Sequence, residues 1–163
     1  MTAYDLAHIV THYVNQKGDS VSHKKLQKLL YYVEAWHLVH MGGPILDEEF
    51  EAWVHGPVIP SLYQSLKQYG FNDLNVIHDV EGGNIDKLID DIIKNNDLSE
   101  DQQDLIEQVL DKYGIKTSFA LEMMTHQEAP WVEARGGIPP HQNCNTIISK
   151  ERMKQFYSSL IDG

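Results

Sequence analysis

The stretch Ser22-His23-Lys24-Lys25-Leu26-Gln27-Lys28-Leu29-Leu30-Tyr31-Tyr32-Val33-Glu34-Ala35-Trp36-His37-Leu38-Val39-His40 decides the fold. Leu26, Leu29, Leu30, Val33, His37 and His40 recur at helical spacing and share one face, with Trp36 at its margin. Gly42-Gly43-Pro44 then stops the pattern, so one long amphipathic helix is predicted over 22–40. Upstream, Leu6, Ile9, Val10, Tyr13 and Val14 keep the same period until Gly18. Two amphipathic helices in sequence are expected to pack on each other.

Downstream, residues 45–57 are too broken for a helix and suit short strands, which predicts a hairpin around Leu46 and Trp53. Pro60 fits the first turn of a third helix carrying Leu62, Tyr63 and Leu66, with Gly70 in the terminating position. Ile85, Leu88, Ile89, Ile92 and Ile93 mark a fourth helix, and Ser99 with Gln102 forms a capping-box pattern that opens a fifth, closed by Gly114. Further helices are predicted over 117–126, from Pro130 onward, and after Ser149, with 146–148 as an extra strand. The expected fold is mainly α: a compact bundle of about seven helices with a small β-hairpin or short sheet, in one domain over 1–163.

Composition narrows the function. Thirteen Lys and Arg face 24 Asp and Glu, and a net charge of -11 argues against tight backbone contact with nucleic acid. It favours encounter with a basic partner. Residues 79–107 hold ten acidic side chains against Lys87 and Lys94, a run that reads as a solvated face or as a contact surface for such a partner. Lys24, Lys25 and Lys28 give the opposite sign over too short a span for a nucleic-acid footprint. Cys144 is the only cysteine and reads as a small loop residue in a reducing compartment. With no signal-peptide pattern and no apolar run near the roughly 20 residues that cross a bilayer, a cytoplasmic location without membrane contact is expected.

Residues capable of chemistry are present without the spacing that chemistry needs. His8 and His12 are spaced to chelate from one helix face, but they lie opposite the apolar stripe of Leu6, Ile9 and Tyr13, so a solvated face is expected. His37 and His40 fall on the apolar face of their helix and read as core histidines with hydrogen-bond partners. No zinc, calcium, phosphate-loop or nucleophile-elbow motif occurs, and no metal or cofactor is expected. Gly82-Gly83 and Gly136-Gly137 read as loop pairs. His126 with Glu128 is the one weak acid-base pair, and it supports an enzyme of unknown reaction only as an alternative.

Three stretches carry a family likeness: 23–37, with its Lys24-Lys25-Leu26-Gln27-Lys28-Leu29 core; 50–60, with Glu51-Ala52-Trp53 and Gly56-Pro57-Val58; and Thr125-His126-Gln127-Glu128-Ala129-Pro130-Trp131. In order and spacing they resemble the Panacea, or SocA-like, antitoxin family, also known as phage-associated GepA-type proteins. The resemblance implies a bacterial or phage protein, without catalytic activity, that neutralises a toxin encoded beside it by direct contact. One relative acts instead as a proteolytic adaptor, so a protease is the alternative partner. Many relatives carry an added helix-turn-helix segment for which this chain has no room, which speaks against autoregulation.

Tryptophans at 36, 53 and 131 offer large rigid surfaces that suit a core or a contact hot spot. The candidate platform or partner-binding residues are therefore Trp36, Trp53, His55, Pro57, Tyr63, His126, Glu128 and Trp131. The acidic segment and the loop 136–145 are expected to select the partner.

Overall fold

The structure, a computed structural model, describes residues 1–67, 73–74 and 84–162. Among them the order is α1 (Ala3–Gln16), β1 (Val21–Ser22), α2 (His23–Met41), β2 (Glu51–Trp53), β3 (Gly56–Val58), α3 (Pro60–Leu66), β4 (Asp73–Leu74), α4 (Ile85–Asn95), α5 (Glu100–Tyr113), α6 (Ser118–Gln127), α7 (Ala129–Arg135) and α8 (Lys150–Asp162). The chain is mainly helical with minor β structure, as the periodicity predicts.

Helix starts follow from local chemistry. The side chains of Thr2, Ser22, Asn84, Ser99 and Thr117 each accept a hydrogen bond from a first-turn amide. Ser99 and Gln102 form the full reciprocal box. Gly42 ends α2 in the left-handed region, with φ of 84°. Gly70, expected to stop α3, and the Gly82-Gly83 pair lie outside the described residues.

α2 is the axle of the molecule. It packs on α1, α5, α6, α8 and β3, and every residue from Leu26 to Ala35 is buried. That corrects the amphipathic expectation for the middle of the helix, which is wrapped on all sides and has no solvated face, while Lys24, His40 and Met41 near its ends are exposed. Its polar residues must then be satisfied inside. Glu34, fully buried, accepts from the amides of Ile45 at 2.9 Å and Leu46 at 3.1 Å and pairs with Lys150 Nζ at 3.2 Å. Gln27 does the same for Ile59, accepting from its amide at 2.9 Å and donating to its carbonyl at 3.3 Å.

The sheets are small. β2 pairs antiparallel with β3, Ala52 opposite Pro57, so the hairpin begins after Leu46, which is buried in the preceding loop. The expected strand at 146–148 joins β2: Ala52 donates to Thr146 and Ile148 donates to Phe50. A second two-residue ladder, β1 with β4, has no signal in the sequence.

Three histidine readings meet the structure differently. His37 is a satisfied core histidine, with Nδ1 2.6 Å from the Gly43 carbonyl and Nε2 3.0 Å from Gln102. His40 is exposed and stacks on Trp36, because the last turn of α2 lies beyond the elements that wrap its middle. His8, expected in solvent, is buried edge-on against Tyr4, and burial lowers its pKa. α1 contacts α2, α3, α4 and α5, so more than one of its faces is covered.

Candidate functional site

The first two turns of α2, the β2–β3 hairpin, the exposed Tyr63 of α3 and the loop 138–146 enclose an open cleft of about 880 Å³. Such a volume lies in the range of ligand pockets. His23, Lys24, Gln27 and Lys28 come from α2, and Trp53, Val54, His55, Pro57 and Val58 from the hairpin. Trp53 and Tyr63 meet edge to face at 5.0 Å, and Tyr63 also leans on His23 at 5.2 Å. These rings make an aromatic wall. Cys144 lines the same cleft, buried, with Sγ 3.4 Å from Thr146 Oγ1.

Beneath the hairpin, the Thr-His-x-Glu-x-Pro-Trp stretch braces it. Trp131 is buried and donates from Nε1 to the Trp53 carbonyl at 2.9 Å, and the His126 ring stacks on it at 4.1 Å. Arg135 donates to the Ala52 carbonyl at 2.8 Å, lies over the Trp131 ring, and holds the carbonyls of Pro139 and Gln142. One guanidinium thus fixes the hairpin to the loop that forms the far part of the cleft. Gly56, at the hairpin turn, has φ of 116°, and a Cβ there would sit 3.2 Å from Thr125 Oγ1 and 3.5 Å from Lys28 Cε. The three sequence signatures touch at this glycine.

The eight candidate residues fall into three groups. Trp53, His55, Pro57 and Tyr63 line the cleft, with His55 and Tyr63 exposed at it. His126 and Trp131 lie under the hairpin. Trp36 and Glu128 belong elsewhere, in a cluster of tyrosines: Glu128 Oε1 accepts from Tyr32 at 2.5 Å and lies 3.0 Å from the Tyr157 hydroxyl, while Trp36 donates to Tyr113, which stacks on Tyr32. Burial raises the pKa of Glu128, and the two tyrosine hydroxyls act against that.

His126 and Glu128 thus take part in different contacts, one stacked on Trp131 and the other bonded to tyrosines. The His126 pKa is lowered by burial first, with the Arg135 and Lys28 charges adding to it; Glu122 and the Val54 carbonyl oppose the shift. Glu122, which no motif marked, bonds His55 Nδ1 at 3.2 Å. Among the described residues no three His, Cys, Asp or Glu side chains converge as metal ligands, and no helix is long and apolar enough to cross a membrane.

With the signatures now joined in one place, comparison with known proteins is decisive. A family model described as "Antitoxin SocA-like, Panacea domain" matches residues 26–132. The chain belongs to this SocA-like Panacea family. Antitoxin SocA of Caulobacter vibrioides (strain NA1000 / CB15N) is similar to it, with 42% identity over 50 residues, 31% of this chain. That stretch spans only 27% of the relative's own length. No solved structure matches the chain. The Panacea match takes in Gln27, Lys28, the whole hairpin and the Trp131 brace. His23, Lys24 and the loop 138–146, which complete the cleft, fall outside the matched residues.

Sequence reasoning missed Gln27, Lys28 and Arg135 as site builders. Each is a polar residue in an otherwise ordinary helical pattern, and only the contacts across the chain reveal its work.

Proposed function

We propose that this chain neutralises a protein toxin by direct contact, and that the cleft with its rim is the gripping surface. The antitoxin family supports the general role. One observation carries the choice of surface: three distant signature stretches converge on a single open concavity, and the buried ones brace the exposed ones. A rigid, preformed concave surface binds with little ordering cost.

The surroundings suit a protein partner. Ile115, Phe119 and Met123 are 83%, 70% and 42% exposed, and the last two lie four residues apart on α6, the helix that packs against β3. Large apolar side chains left in water at that spacing are a contact surface in waiting. Together with the cleft they fit within a standard interface of about 1,600 Å². The acidic helices α4 and α5 contribute no residue to the cleft, so they act as a separate face that attracts a basic partner from a distance.

His126 and Glu128 serve here as braces and carry out no reaction. The test is co-expression: the neighbouring reading frame alone stops growth, and adding this chain restores it. A harmless neighbour, or growth arrest that this chain does not relieve, overturns the proposal.

A further inference from the structure

A second feature of the cleft concerns one buried cation. Lys28 is 2% exposed, yet it lines the cleft. Its ammonium group has three donors, and its partners are the Lys24 carbonyl at 3.1 Å and the Ser118 hydroxyl at 3.3 Å, both neutral. Among the described residues no carboxylate lies within ion-pair distance of it. Buried charges are ordinarily paired.

The setting makes the deficit worse. Ser118 is the first residue of α6, so the ammonium sits at the positive end of a helix, where an anion is favoured and a cation is not. Lys24, one turn earlier on α2, adds a like charge. Burial lowers the Lys28 pKa to about 8, and the opposing pull comes from Glu122, which already bonds His55. Glu34, on the same helix, shows how this fold treats a buried charge of its own: two amides and a lysine close around it. Lys28 has no such closure, and it is one of the residues that line the cleft.

We infer that the cleft recognises a carboxylate on a segment of the protein partner, which docks on the Lys28 ammonium while a neighbouring apolar side chain packs against Trp53 and Tyr63. The inference rests on the toxin-binding reading above and names its chemistry. A protein carboxylate fits better than a phosphate. Glu51 stands on the cleft wall and disfavours a doubly charged group, and none of the residues that line the cleft is a glycine that could let backbone amides cradle one. Asn143 and Asn145 supply amides along the same cleft for a peptide backbone.

The experiment uses the full chain as bait for short peptides displayed on phage, followed by binding of the enriched peptides to wild type and to Lys28→Met. The enriched peptides are expected to share an Asp or Glu beside an apolar residue. Lys28→Met is expected to weaken them by about 30-fold, the loss typical of removing one member of a buried charge pair. Its melting temperature should equal or exceed that of wild type, since an unpaired buried charge is removed. Should Lys28→Met fail to fold, the exposed Tyr63 gives a second arm: both Tyr63→Gln and Tyr63→Glu lose the aromatic packing, and Tyr63→Glu, which adds a like charge, weakens the same peptides further than Tyr63→Gln does. An unenriched library, peptides without an acid, equal binding to the variants, or AMP or inorganic phosphate binding in place of acidic peptides overturns the inference. Growth rescue separates the two levels. If both wild type and Lys28→Met relieve the toxin equally, the carboxylate is wrong and neutralisation stands; if wild type itself fails, neutralisation falls.

Discussion

At Gly56 a single added methyl group meets both an unfavourable backbone conformation and close neighbours. Its φ of 116° is a glycine conformation, and a Cβ there meets Thr125 and Lys28. Gly56→Ala is expected to destabilise the chain by about 1–3 kcal/mol, measured by denaturant unfolding. Glu128 gives a contrast between two substitutions. Alanine leaves the Tyr32 and Tyr157 hydroxyls facing a void and should cost about 1–3 kcal/mol, whereas glutamine keeps an acceptor and should cost less. Equal losses for the two would show that the tyrosine bonds are not what holds the cluster.

Lys28 also predicts a pH dependence. Its folded pKa of about 8 lies below the ordinary value of 10.5, so between these the unfolded chain binds the proton that the folded chain has released. Stability from this group therefore rises as pH climbs from 8 to 10.5, and the penalty is complete below 8. In Lys28→Met that rising limb should be missing from a stability profile taken across the window.

At the scale of elements, the sequence discloses what is local. Ser22, Ser99 and Thr117 sit next to the turns they cap, so their roles are readable without knowing any distant partner. The hairpin was legible from Glu51-Ala52-Trp53 and Gly56-Pro57, but its start was not. Leu46 is apolar because it is buried in a loop held by Glu34, and no local pattern distinguishes that from a strand. His8 was misplaced for a related reason: a helical wheel reports one covered face, and α1 has several neighbours. Of the site, the exposed aromatic residues were legible through the signature, while Gln27, Lys28 and Arg135 depend on contacts 32, 90 and 83 residues away.

The exposed face of α6 makes its own prediction. Phe119→Glu and Met123→Glu alter residues that already meet water, so the melting temperature should stay within a few degrees. Binding to the proposed protein partner should fall by about tenfold or more for at least one of them, read by calorimetry or surface capture. Unchanged binding in both would confine the interface to the cleft.

At the scale of the whole molecule, one helix organises everything else. α2 is buried through its middle, and its polar side chains reach out to fix the loop at 45–46 and the segment after the hairpin. The buried signature residues brace the cleft that the exposed ones line. Away from the cleft, α4 and α5 carry eight acidic side chains against three lysines, and this should show as an association rate with a basic partner that falls as salt rises.

The most direct measurement places a photo-crosslinking amino acid at Tyr63, on the cleft, and separately at Asp104, on α5, in cells that also express the neighbouring reading frame. The proposed neutralisation predicts a covalent adduct with that frame's product from position 63 and none from position 104. An adduct from α5 alone would place the grip on the acidic face and contradict it.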